Sequence, residues 1–501
     1  MMAVLEDSIQ LIRDSYGEEV DLAHLPPDDK GVYEALQKAD TIGLFQVESR
    51  AQMSCLPRLR PAKFYDIVVQ VAIIRPGPIV GNMVHPYLKR RQGREPVTYA
   101  HPSLKPILER TLGVPLFQEQ LLRMAMVCAG FTGGQAEELR RAFGFKRSEA
   151  RMKAIEVKLR KGLQENGIAG KTQDEIVLAI SSFALYGFPE SHAASFALLA
   201  YASAYLKCNY LAAFTTAMLN NQPMGFYQPF TLVKDAQRHG LRVLPIDIMR
   251  SDWLCTIEET PETRHAMRLG LRYVKGLSQQ AGQAIVRERS QRPFTGIDDV
   301  CNRVPELRKG ELRKLAAIGA LNFIQDDTVN RRDALWQVER VKRVAGELYE
   351  ELAEKDGDSP LLPMSVTERL DADFRGTGMT IGKHPVAYHR DELNKLDALR
   401  AIDIRKLRDG SFVRVAGWVI VRQRPGTAKG FMFLTLEDET GVSNIIVTPQ
   451  LFDRYRIELV DHPFLLIEGA LQNQDNVISV KAHHVQPLSF KVAATQSHDF
   501  H

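Results

Sequence analysis

The chain has 501 residues, room for about three or four domains of ordinary size. With 45% hydrophobic and 25% charged residues it is neither a disordered nor a fibrous composition, and 65 Lys and Arg against 61 Asp and Glu leave a net charge of only +4, so any basicity that matters is local. Five cysteines, Cys55, Cys128, Cys208, Cys255 and Cys301, are scattered without a C-x-x-C pair, which argues against a zinc knuckle or a disulfide framework and suits a reduced, cytoplasmic location.

The N-terminus lacks a basic region ahead of an apolar one and is no secretory signal. Residues 1 to about 245 read as mainly helical, with apolar residues three and four apart in Met1–Ile12, Leu121–Cys128, Ile155–Leu163 and Ala197–Met218. Pro76 and Pro78 each lock φ and lack an amide proton, so Arg75-Pro76-Gly77-Pro78 forms a rigid corner that presents Arg75. After the glycine turn Gly133-Gly134, Leu139–Arg147 holds four cations in nine residues. From Arg140 to Lys161 nine Lys or Arg face only Glu149 and Glu156. Charge alone leaves a phosphate site and a solvated helix face equally open. The apolar stretch Ile176–Leu219 is broken by Pro189-Glu190, His192 and Lys207 into runs too short to span a membrane. His192 follows a glycine and proline turn at the start of a small-residue helix, where the helix dipole orients anions; a structural histidine is the alternative.

From about 246 the pattern changes to short helices with glycine turns. Val274-Lys275-Gly276-Leu277 leads into Ala281–Arg289, and a second unit covers Leu312–Ala320. The two resemble paired helix-hairpin-helix modules, which hold nucleic-acid phosphates on backbone amides, and this singles out Lys275 and Gly276. A charged helical stretch from 331 ends in the linker Glu354–Pro360, and a mixed segment runs to 410. From Phe412 to about Leu488 the period becomes 2, with strands at Val413–Ile420, Phe431–Leu436, Val442–Val447, Phe464–Gly469 and Val477–Val480. Five short strands resemble an OB-fold barrel, and Arg422, Arg424, Lys429 and Phe431 are its candidate nucleic-acid face. Glu437-Asp438-Glu439 before Thr440-Gly441 reads as a hairpin turn rather than a metal cluster. His483 and His484, adjacent on a strand, cannot readily share one metal. No nucleophile elbow, dinucleotide fingerprint or P-loop occurs.

Five blocks, Gly43–Ser49, Ile74–Pro78, Gly113–Gln120, Glu138–Gly144 and Tyr186–His192, resemble in order and spacing the bacterial C-family DNA polymerases, the replicase alpha-subunit family. Phe143, Pro189-Glu190 and the tail are most similar to the error-prone branch used in damage-induced synthesis. The resemblance implies a multidomain, mainly α chain, with helical fingers and tandem helix-hairpin-helix modules, ending in an all-β OB-fold barrel. Its domains would be a palm remnant helix and connection at 1–32, fingers at 33–245, helix-hairpin-helix modules at 246–330, a charged linker and connecting segment at 331–410, the OB-fold at 411–490 and a tail at 491–501.

The implied activity is addition of deoxynucleotides to a primer 3′ end by two-metal nucleotidyl transfer, a non-catalytic DNA-binding protein or a replicative alpha-subunit fragment being the alternatives. In the family the block matching Arg140-Arg141 contacts the triphosphate of the incoming nucleotide; Arg75, Lys146 and His192 would be its neighbours. The family's Mg²⁺ is held by palm aspartates upstream of the segment that Met1–Ile12 resembles, while Asp371-x-Asp373 and Asp403 stand in the wrong context. The chain is therefore expected to be the C-terminal half of a polymerase from a truncated, split or fragmentary frame, with no catalytic residue of its own, and inactive alone. Expected partners are primer-template DNA, deoxynucleoside triphosphates and either accessory mutagenesis proteins or a sliding clamp. The clamp-binding peptide of replicative members has no copy between Asn330 and Pro363, which favours recruitment by accessory proteins.

Overall fold

The computed structural model describes residues 1–74, 80–144, 149–184, 188–322, 324, 330–341, 359–490 and 498–500. The chain divides into two compact units. One is Leu22–Cys208 with Asp475–Val477; the other combines Met1–Asp21, Asn209–Gln474 and Ile478–His501.

The first unit is helical. Gln118–Ala129, Gly133–Gly144, Glu149–Glu165 and Gly170–Ala184 turn one face each toward a common core that includes Leu121, Met124, Leu139, Leu159, Leu163 and Ile180. The three- and four-residue spacing of those side chains makes the stripe. Gly162 lies against the Ala129 carbonyl so closely that a Cβ would overlap it, which fixes where two of the helices cross. The helix Glu190–Asn209 buries Ala193, Ala197, Ala200 and Ala204, a small-residue face that admits close neighbours.

In the second unit Met2–Tyr16 packs on Leu211–Asn220. A small sheet follows, absent from the sequence expectation: β1 (Val243–Leu244), β2 (Thr256–Thr260) and β3 (Thr263–Arg268), in the order β1-β3-β2. The helix-hairpin-helix region contributes Gln279–Gln291, Ile297–Arg303 and Lys309–Ala317, succeeded by Arg331–Arg340 and Val366–Thr377. The linker expected at 354–360 lies largely outside the described residues.

The remaining strands are β4 (Ala398–Leu399), β5 (Phe412–Gln423), β6 (Met432–Asp438), β7 (Gly441–Val447), β8 (Phe464–Gln474), β9 (Val477–Pro487) and β10 (His498–Phe500). Five of them close a barrel in the order β5-β6-β7-β9-β8 and back to β5. Closure depends on β5 serving two neighbours: Phe412–Trp418 pairs with β8 and Trp418–Gln423 with β6. A register shift between Val419 and Val421 bends the strand, and at Gly417 a side chain would crowd the Glu437 carbonyl at 2.8 Å. The β8–β9 turn places Asp475 and Asn476 at φ 55° and 64°, the pair of left-handed residues that a tight hairpin requires. The expected OB-fold is present, and no helix among the described residues is long and apolar enough to cross a membrane.

Glu437 is fully buried in β6 rather than standing in the turn; Asp438 makes the turn by accepting from Thr440 N at 2.7 Å and Gly441 N at 3.0 Å. The Glu437 carboxylate pairs with Arg238 at 2.8 Å on the helix Pro229–Arg238. Burial pushes its carboxyl above the usual range, against the pull of Arg238. Lys234, one turn earlier, is brought down to about 8 by burial. His384 sits beside this cluster, Nε2 3.9 Å from Glu437, and its Nδ1 accepts from Val386 N, which puts the proton on Nε2. Phe230, Phe374, Trp418 and Phe464 form an aromatic packing around them, with centroids about 5 Å apart.

Burial, with Lys234, Arg238 and Arg390 nearby, holds His384 neutral well below the ordinary histidine value. Its stabilising contribution is therefore complete above about pH 6.5, where the unfolded side chain is also neutral, and is lost as pH falls because only the unfolded chain takes up the proton. Between about pH 7.5 and 5.5 this residue adds a slope of up to about 1.4 kcal/mol per pH unit. His384→Gln is expected to melt lower than the parent at the upper pH but to lose less on acidification; an unchanged slope would place the titration elsewhere.

Candidate functional site

The helix Gly133–Gly144 follows a glycine-rich break, and Leu139, 1% exposed in the helical core, fixes its rotation. Residues next to Leu139 in sequence must then leave the core. Arg140 and Arg141 do so, their side chains 39% and 71% exposed. Adjacent helical residues diverge by about 100°. Glu137, three residues before one and four before the other, reaches both. Its carboxylate accepts from Arg140 Nε at 2.9 Å and Arg140 Nη2 at 2.6 Å, and from Arg141 Nε at 3.0 Å. Arg140 first and Arg141 second hold the Glu137 carboxyl down at about 2. The cluster is a pair of forks carrying one net positive charge, resting on an exposed carboxylate that a stronger anion can displace. Glu137 lay one residue before the motif block and was overlooked in the sequence; its spacing from the two arginines was the available signal.

Three of the other sequence blocks meet around the helix Glu190–Asn209. Phe117 bridges to Phe188, Gln118 N donates to the Phe188 carbonyl at 3.1 Å, and Glu119 accepts from Glu190 N at 2.9 Å. Phe45 N donates to Ser203 Oγ at 3.1 Å, and Phe45 stacks on Phe196 at 5.3 Å. His192 is exposed on the same helix, edge-on to Phe188 at 5.0 Å and Phe196 at 4.2 Å. Among the described residues no hydrogen bond or ion pair joins it to the arginine cluster. Arg75 and Lys146 lie outside the described residues.

The barrel candidates separate. Arg422 is only 7% exposed, and its guanidinium donates to the carbonyls of Leu459 at 2.8 Å and His462 at 2.7 Å, closing the end of the helix Arg456–Asp461. It is a structural cap and leaves the proposed face, because β5 is covered on both sides and strict alternation fails there. Arg424 and Lys429 are exposed, and Phe431 is half-buried. The aromatic partner of Arg424 is Phe452, 3.9 Å from the guanidinium, which the sequence reading missed. In the first hairpin Lys275 N donates to Gly376 O at 2.7 Å and its ammonium to Phe374 O at 3.0 Å, both at the end of the helix Val366–Thr377. Gly276 is exposed with φ 77°.

Residues 1–167 match the bacterial DNA polymerase III alpha subunit finger domain, residues 240–334 a helix-hairpin-helix motif and residues 413–488 an OB-fold nucleic acid binding domain. The chain belongs to the bacterial DNA polymerase III alpha-subunit family. It is similar, at 46% identity over 96% of its length, to an error-prone DNA polymerase of Anaeromyxobacter sp. strain K, covering 43% of that protein. An error-prone DNA polymerase 2 of Agrobacterium fabrum is 42% identical over 100% of this chain, which covers 47% of it. One from Methylococcus capsulatus is 43% identical over 97%, with 48% covered. The chain thus spans less than half the length of these alpha-family relatives.

An exposed ion pair is worth about 0–1 kcal/mol. Removing Glu137 from competition should therefore tighten binding of inorganic tripolyphosphate by roughly two- to five-fold in Glu137→Gln, read by titration calorimetry. Weaker binding would mean that Glu137 positions the arginines rather than competing for them.

Proposed function

We propose that this chain carries the nucleotide-gripping and DNA-holding parts of an error-prone, DNA-directed DNA polymerase, which extends a primer 3′ end in damage-induced synthesis. The observation that carries the reading is the Glu137-Arg140-Arg141 cluster, set on a core-anchored helix within the segment that matches the finger domain. Guanidinium forks suit phosphate oxygens, and two of them on one helix neutralise and orient a triphosphate as its negative charge redistributes during transfer. Arg75, Lys146 and His192 are proposed neighbours of the bound nucleotide. The helix-hairpin-helix region and the barrel, through Gly276, Arg424, Lys429 and Phe431, are proposed to hold primer-template DNA in the cytoplasm. Recruitment is assigned to accessory proteins rather than to direct clamp binding.

The family's reaction uses Mg²⁺, and Asp371 and Asp373, the paired aspartates in the sequence, do not fit it. Two-metal catalysis needs carboxylates free to hold ions about 4 Å apart. Asp373 pairs with Arg331 at 2.7 Å and accepts from Thr380 at 2.9 Å, while Asp371 pairs with Arg375 at 2.8 Å. Standing two apart on a helix, they diverge by about 200°. We therefore assign the metal to carboxylates outside this chain, and the chain alone to nucleotide and DNA binding without turnover.

Primer extension tests this division. The chain with Mg²⁺ and four deoxynucleotides should give no product, and an added palm-containing fragment should restore extension; product from the chain alone would overturn it. In Arg140→Ala/Arg141→Ala, loss of charge-assisted hydrogen bonds worth about 1.5–3 kcal/mol each should weaken nucleotide binding at least ten-fold with DNA affinity largely kept. A uniform loss of DNA affinity with nucleotide binding intact would instead make the arginines a DNA track.

A further inference from the structure

The two hairpins have matching backbones. Leu277 N donates to Val274 O and Leu307 N to Val304 O, both at 3.1 Å, and the loops read Val-Lys-Gly-Leu-Ser and Val-Pro-Glu-Leu-Arg. The N-cap amides behind them share one side chain: Glu311, 7% exposed, accepts from Ser278 N and Arg308 N at 2.8 Å each. Those two amides are spent, and the loops themselves differ in the two residues before each leucine.

There the hairpins part. Pro305 has no amide proton, and Glu306 places a carboxylate, paired with Arg287 at 3.0 Å, where a phosphate would come. In the first loop the Lys275 amide and ammonium are both committed to carbonyls of the helix Val366–Thr377. Among the described residues the Gly276 N–H has no acceptor, and Gly276 is exposed in the left-handed region at φ 77°. The ammonium of Lys314 lies where a Gly276 Cβ would stand. It arrives from the second module, on the helix Lys309–Ala317, and is exposed with no ion pair among the described residues. The other two cations of that helix are tied to Glu339, Lys309 at 3.6 Å and Arg313 through its Nε.

We propose that Gly276 and Lys314 together form the phosphate seat of the tandem modules, taking one backbone phosphodiester of duplex DNA, and that the second hairpin holds none. The amide supplies direction and the ammonium supplies charge, so the second module acts on the DNA through the first module's loop. This rests on the DNA-binding reading above and goes beyond it by replacing Lys275 with Lys314 as the cation of the site.

The test is binding of a fluorescein-labelled duplex to the full chain by anisotropy across a KCl series. One lost phosphate contact lowers the magnitude of the slope of log K against log salt by about 0.9. Lys314→Ala should show that loss, Lys314→Arg should recover most of it, and Arg313→Ala, which removes a charge from the same helix, should keep the parent slope. A parent slope in Lys314→Ala, or an equal loss in Arg313→Ala, would overturn the assignment while leaving DNA binding intact. A parent chain with no salt-dependent duplex binding would overturn the DNA-binding reading itself.

Discussion

The buried pair between Arg238 and Glu437 is the constraint around which the larger unit is organised. Glu437 is on a barrel strand and has no exposed surface, while Arg238 ends a helix that precedes the helix-hairpin-helix region by sequence. Removing two charges from water costs several kcal/mol per ion, and their attraction repays that only with good geometry and further hydrogen bonds. Both conditions hold: the contact is 2.8 Å, and Thr231 adds a hydroxyl 3.4 Å from the second carboxylate oxygen. Such a pair adds little net stability over an apolar substitute, but a single broken partner leaves a buried charge costing about 3–5 kcal/mol. It thereby penalises any arrangement in which the helix and the barrel do not meet in this register. The aromatic packing of Phe230, Phe374, Trp418 and Phe464 supplies the burial that makes the penalty large.

The arginines of the helix Gly133–Gly144 obey the opposite economy. Their partner Glu137 is 35% exposed, so water compensates when the pair opens. A partly exposed carboxylate keeps both guanidiniums ordered without holding them strongly. The same two residue types, Arg and Glu, thus fasten one region and arm another, and burial decides which.

The sequence made these regions legible to different degrees for physical reasons. The barrel strands were plain, since β7 alternates between covered and less covered positions and a two-residue period is local information. Arg422 was misjudged because β5 is covered on both sides; its side chain satisfies helix-end carbonyls at Leu459 and His462, 37 and 40 residues away in the chain. Glu437 reads like its acidic neighbours Asp438 and Glu439, and only Arg238, 199 residues upstream, reveals it as a core residue. The short strands β1–β3 carried no signal at all, being two to six residues long and partly exposed. Arg140 and Arg141 were visible as charge, but their organisation needed the helical phase set by Leu139.

Helical phase also decides which cations a given carboxylate can reach. Glu137 gathers Arg140 and Arg141 because offsets of three and four straddle its own face of the helix. Glu339 approaches Lys309–Ala317 from outside and takes Lys309 and Arg313, four apart on one face. Lys314 is turned about 100° from Arg313, beyond that carboxylate's reach and toward the loop that carries Gly276. One step along the helix therefore changes the side chain's task. In a chain whose positive and negative charges nearly cancel, helical phase decides which cations a carboxylate can reach, and the exposure of that carboxylate decides how firmly it holds them.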